Sequence, residues 1–113
     1  MLTIESLRSF GADVNEGLGR CMNNEGFYLR MVRMACADGN FEKLEKAVEE
    51  NNLTAGFEAA HALKGVLANL SLTPLSGPVS ELTERLRAGT PGDYRQTVGE
   101  ILKLRDELKA LDR

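Results

Sequence analysis

The chain has 113 residues, with 14 basic and 17 acidic side chains and a net charge of −3, a length that suits one domain around one apolar core. The acidic balance, without any basic block, argues against a nucleic-acid or anionic-membrane partner. No apolar run approaches the roughly 20 residues that cross a bilayer, and Met1-Leu2-Thr3-Ile4-Glu5 has no basic segment followed by an apolar stretch, so a soluble, unsecreted, cytoplasmic protein is expected. Met1 and the compact length point to a free-standing protein, one domain over residues 1–113.

Strand signals are nearly absent, and the chain reads as all-α. Thr3 is placed to cap a short helix through Ile4 and Leu7 to Phe10, stopped by Gly11. A second short helix spans about Val14 to Met22, weakened by Gly17 and Gly19. From Glu25 the apolar residues Phe27, Met31, Met34, Phe41, Leu44 and Val48 recur at spacings of three and four, and their phase carries through Asp38-Gly39-Asn40. That continuity favours one long helix from about Glu25 to Glu50, with a break at Gly39 as the alternative. Thr54 then caps a helix running to about Ser71.

Thr73-Pro74 and Thr90-Pro91 each set a capping hydroxyl before a proline suited to a first helical turn, marking two further starts. The first of these helices carries Leu75, Val79, Leu82 and Leu86 to Arg87, and Gly89 supplies its stop. The last runs from Pro91 to about Leu111 with Tyr94, Val98, Ile101, Leu104, Leu108 and Leu111 as its buried stripe. Four substantial helices with short connections predict an antiparallel up-and-down four-helix bundle with short extra N-terminal helical segments. Cys21 and Cys36 lack the spacing of a disulfide framework or a metal site and read as small packing residues. Met1, Met22, Met31 and Met34 read as core filler. The run Glu42-Lys43-Glu45-Lys46-Glu49-Glu50, the pair Arg30 and Arg33, and the mixed tail at Lys103, Arg105, Lys109 and Arg113 read as solvated faces.

His61 is the single histidine. On a helical wheel Gly56, Ala59, Leu63, Val66, Leu67 and Leu70 share one apolar arc, and His61 points the other way, toward water. Its own face carries Phe57 one turn upstream, Lys64 at i+3, Gly65 at i+4, Ala68 at i+7 and Leu72 at i+11. Without a second histidine for a metal triad, or a serine or cysteine paired with a base, His61 is expected to work as a lone nucleophile. An imidazole at neutral pH offers a free ring nitrogen to an activated phosphoryl group, and phosphoryl transfer asks chiefly for positioning and nearby positive charge. Lys64 supplies the charge. Gly65 keeps the approach clear, and Phe57, Ala68 and Leu72, with Asn69 at their edge, make an outward docking patch.

The run His61-Ala62-Leu63-Lys64-Gly65, continuing through Ala68-Asn69-Leu70, resembles the phosphorylation motif of histidine-containing phosphotransfer (HPt) domains. The resemblance implies a four-helix bundle whose exposed histidine shuttles a phosphoryl group between receiver-domain aspartates, from sensor kinase to response regulator, without autokinase activity. It implies His61 as phosphoacceptor, Lys64 as charge neutraliser and Gly65 as the residue that keeps the surface open. It also implies a monomer with no cofactor of its own, magnesium belonging to the receiver domain. Val66 stands where the family often has a small polar residue, and Ser71 where it often has glycine. Two other readings stay open: a docking module that is not phosphorylated, and a self-associating bundle using the Phe57, Ala68 and Leu72 patch.

Overall fold

The computed structural model describes residues 1–113, and its helices begin where side chains satisfy the first orphan backbone N–H groups. Thr3 and Ser6 each accept from the other's backbone N–H, a reciprocal capping box that opens α1 (Ile4–Phe10). Gly11, at φ 109°, closes α1 in the left-handed conformation expected of it. Asp13 caps α2 (Val14–Arg20) by accepting from Glu16 N–H, and Asn24 caps α3 (Glu25–Cys36) by accepting from Phe27 N–H. The remaining helices are α4 (Asn40–Glu49), α5 (Leu53–Asn69), α6 (Thr73–Arg87) and α7 (Arg95–Ala110), and no residue lies in a strand.

The single helix expected over 25–50 is therefore two. Asp38 breaks it, because its carboxylate accepts from both the backbone N–H and the side-chain amide of Asn40 at 2.8 and 2.9 Å. Local bonds of that kind compete with the helical ladder, and Gly39 next to it is a poor helix former. With the break, the phase of α4 does not extend back into α3. Phe41, Leu44 and Val48 are buried as expected, but α3 buries Tyr28, Val32, Ala35 and Cys36, while Phe27 and Met34 are exposed and Met31 half-buried. Met1 and Met22 are exposed too, so three of the four methionines lie outside the core.

Other boundaries shift for similar local reasons. α2 stops at Arg20, because Met22 and Asn23 both turn left-handed, at φ 57° and 58°. Asn52, not Thr54, caps α5, its side chain accepting from Ala55 N–H at 3.0 Å. α5 ends at Asn69, two residues short of the expected Ser71. Thr73 is the first residue of α6 rather than its cap, with Pro74 in its first turn and Leu72 at the cap position. α7 begins at Arg95, not Pro91: the Asp93 carboxylate takes both the backbone N–H and the guanidinium of Arg95, and the Tyr94 hydroxyl donates to Thr90 O. Gly89 does end α6, at φ 68°.

Helices α4 to α7 make the bundle. α5 packs against α4 on one side and α6 on the other, and α7 closes the ring against both. Short connections over 50–52 and 70–72, with a longer one over 88–94, turn each helix back along its predecessor. Leu75, Val79, Leu82 and Leu86 of α6 and Val98, Ile101 and Leu108 of α7 fill the core as expected, with Leu104 and Leu111 half-buried at its margin. Both cysteines are buried and unpaired.

The N-terminal helices grip one end of this bundle. Arg20 Nη1 donates to the carbonyls of Ala68 and Asn69 at 2.7 and 3.4 Å, the Tyr28 hydroxyl donates to Leu70 O at 2.8 Å, and Asp13 N–H donates to Ser71 O at 3.0 Å. Ser71 itself is buried at φ 55°, the backbone region glycine favours, and its hydroxyl bonds Arg20 and Glu16. Gly17 is where the two parts touch most closely. A Cβ there would lie 2.6 Å from Tyr28 Cε1 and 2.8 Å from Leu70 O, whereas a Cβ on Gly19 would meet nothing within 4 Å.

The clasp makes its contacts testable. Gly17→Ala lowers stability by about 1–3 kcal/mol through overpacking, although alanine is the better helix former. Gly19→Ala, two residues on, raises it by up to about 0.5–1 kcal/mol; denaturant titration of both variants checks the opposite signs. Tyr28→Phe leaves Leu70 O without its partner and costs about 1–3 kcal/mol. Burial, aided by Cys21 and Asp13, pushes the Tyr28 hydroxyl from 10.0 up to about 12. An acid with its pKa raised by folding holds its proton in the folded chain after the unfolded chain has lost it. Its contribution is complete below about 10 and is lost as pH climbs through about 12. Stability curves should therefore show the Tyr28→Phe deficit shrinking across that window.

Candidate functional site

α5 presents two faces because its small and large residues alternate with helical period. The inner face buries Gly56, Ala59, Ala60, Leu63 and Leu67. Gly56 lets the neighbouring helices close in: a Cβ there would sit 3.5 Å from Leu86 and 3.7 Å from Ala47. His61 lies midway along the opposite face and is exposed. Its ring stacks on Phe57, centroids 5.5 Å apart with 19° between planes. Phe57 is half-buried against the core, so it fixes one side of the imidazole while the other stays open.

Lys64 and Gly65 share the face with His61. Lys64 is half-buried along its stem, and its Nζ lies 3.5 Å from Glu84 of α6. Gly65 is exposed and has nothing within 4 Å of the position a Cβ would take. Ala68 and Asn69 continue the exposed strip. Phe57, His61, Lys64, Gly65, Ala68 and Asn69 are thus on one surface, as their spacing predicts.

Leu72 is not part of it. It is fully buried, at 0 % exposure, because the helix has already ended and the left-handed Ser71 turns the chain into the core. The i+11 position has meaning only while the helix lasts. Val66, expected in the buried arc, is half-buried at the edge of the core.

Helix packing adds residues that no spacing along α5 indicates. Arg87 of α6 lies with its guanidinium carbon 5.0 Å from the centre of the Phe57 ring. Its Nε is 3.0 Å from Glu84, the carboxylate that also reaches Lys64. Arg20 of α2 stands beside Ala68 and Asn69. Glu84 and Arg87 sit one turn apart on an ordinary amphipathic helix, and only the tertiary structure brings them to the histidine. Chemically, the arrangement is an accessible imidazole with a lysine one turn away, on a surface left open over Gly65.

The Hpt domain family model matches residues 32–113. No significant match was found among curated proteins or among solved structures. The matched segment takes in the end of α3, from residue 32, and the whole bundle, leaving α1, α2 and most of α3 outside it. An all-helical bundle whose matched segment covers most of the chain, with the histidine helix inside it, belongs to the Hpt domain family, whose members carry out histidine phosphotransfer in two-component phosphorelays.

Proposed function

We propose that His61 is the phosphoacceptor of a phosphocarrier that moves a phosphoryl group between receiver-domain aspartates, from a sensor kinase to a response regulator. The observation that carries this reading is the exposed imidazole midway along α5, with Lys64 one turn on and open space over Gly65. In transfer, the lone pair of a ring nitrogen attacks phosphorus. The P–N bond forms as the P–O bond of the aspartyl phosphate breaks, its electron pair leaving on the carboxylate and the ring proton passing to solvent. The reverse step hands the group on. Lys64 offsets charge on the transferring oxygens. Phe57 orients the ring and, with Ala68 and Asn69, forms the face on which the receiver docks. The chain acts as a monomer without autokinase activity, and any magnesium belongs to the receiver domain. A self-associating bundle is a weaker reading, since Leu72, one of the three residues of its contact patch, is buried.

Incubation with a phosphorylated receiver domain, read by intact mass, should add one acid-labile, base-stable phosphoryl group to the parent. His61→Gln should abolish that gain and leave the helical content and thermal midpoint intact, because the side chain faces water. Labelling of the variant equal to the parent would place the phosphoryl group elsewhere and sink His61 as acceptor, and no gain by the parent across a panel of receiver domains would favour the docking-only module.

Gly65 separates clearance from stability. Gly65→Ala introduces no clash within the chain and should raise stability by about 0.5–1 kcal/mol, as glycine-to-alanine changes in helix interiors do. Transfer from the receiver should nonetheless slow, and Gly65→Gln should block it. Transfer within a few-fold of the parent in Gly65→Gln would show that the opening over Gly65 has no part in docking.

A further inference from the structure

Lys64 does not stand free beside His61. Its Nζ is 3.5 Å from Glu84 Oε1, and the other oxygen of that carboxylate is 3.0 Å from Arg87 Nε. Arg87 in turn covers the Phe57 ring that stacks on His61. One carboxylate on α6 thus engages both the cation one turn from the imidazole and the cation above its stacking partner. The Glu84 side chain is 55 % exposed and that of Lys64 35 %. A solvated pair of this length is weak and exchanges readily.

A phosphoryl group on His61 brings up to two negative charges and several strong acceptor oxygens onto the face of the i+3 lysine. Its charge exceeds that of Glu84, and the long, flexible stem of Lys64 can swing between them. We infer that Glu84 is a positioning residue: it holds Lys64 toward α6 while His61 is unmodified and releases it as the phosphoryl group arrives, which restrains phosphoryl acceptance by His61. The inference rests on His61 being the phosphoacceptor. Glu84 acts in two ways of the same sign, by competing for Lys64 and by repelling an incoming anion, and the two differ in whether they need Lys64.

The test uses the full chain and phosphoramidate as the phosphodonor. A P–N bond forms to His61, the donor's P–N bond breaks, and the ring proton leaves with the ammonia as ammonium. Intact mass follows the rate in the parent, Glu84→Gln, Lys64→Gln and the double variant. Glu84→Gln should accept the phosphoryl group about two- to fivefold faster at low salt, the scale of an exposed ion pair. The gain should fade at about 1 M KCl, where screening acts within about 3 Å. In the Lys64→Gln background the same substitution should gain less, because the cation it frees is gone. A purely structural role for Glu84 would move the thermal midpoint and would not vanish with salt. Equal rates for the parent and Glu84→Gln overturn the inference while leaving His61 as phosphoacceptor. A gain of equal size with and without Lys64 also overturns it, since that is charge repulsion alone. A parent that takes no phosphoryl group at His61 overturns the proposed function and this inference together.

Discussion

The position of the histidine helix depends on how its C-terminal end is held. A helix finishes with carbonyls that have no partner of their own, and near a protein core such groups are costly if left unpaired. Here the carbonyls of Ala68, Asn69, Leu70 and Ser71 are taken by Arg20, Tyr28 and Asp13, residues some 40 to 60 positions earlier in the chain. The clasp is close-fitting as well as bonded, since Gly17 leaves room for nothing larger against Tyr28 and Leu70 O. The Arg20 guanidinium also meets the negative end of the α5 dipole. Every one of these residues precedes residue 32, where the family match begins. The portion of α5 that carries His61 thus lies inside the family match, and the device that seats its end is supplied by the N-terminal segment outside it.

Small residues do opposite work on the two faces of α5. Gly56, Ala59 and Ala60 are buried and let α4 and α6 approach closely, which brings Leu63 and Leu67 into dense packing. Gly65 and Ala68 are exposed and keep bulk away from the imidazole. Composition alone does not separate these roles. Burial does, and burial follows from the phase that the leucines impose on the helix.

That phase explains what was legible in the sequence and what was not. Within α5 the leucines set the register, so spacing alone puts Phe57, His61, Lys64, Gly65 and Ala68 on one face. α6 and the Thr3 cap of α1 are equally plain, because strong leucine spacing and a capping hydroxyl act locally. α3 misleads for the opposite reason. Its exposed stripe of Phe27 and Met34 is more apolar than parts of the stripe it buries, which includes Tyr28 and Ala35, and Tyr28 is drawn inward by a bond to Leu70 O that no local pattern reveals. The run of phase through Gly39 was coincidental, and the Asp38 side chain cut it. Leu72 fails by the same logic, since a helical wheel continues past a helix end that the backbone does not.

The groups around His61 divide by the kind of force that places them. Buried contacts and the clasp, each costly to break, hold α5 where it is. Glu84, Lys64 and Arg87 meet at the surface, where an ion pair contributes little to stability and responds to salt. Exchange among them therefore leaves the scaffold untouched, and under the proposed phosphorylation of His61 they can redistribute without cost to the fold. On the proposed function, a carrier that must both accept and release a phosphoryl group benefits from that division. Strong fixed cations would favour a phosphorylated state and oppose its discharge, whereas cations shared with an exposed carboxylate would keep the two states closer in free energy.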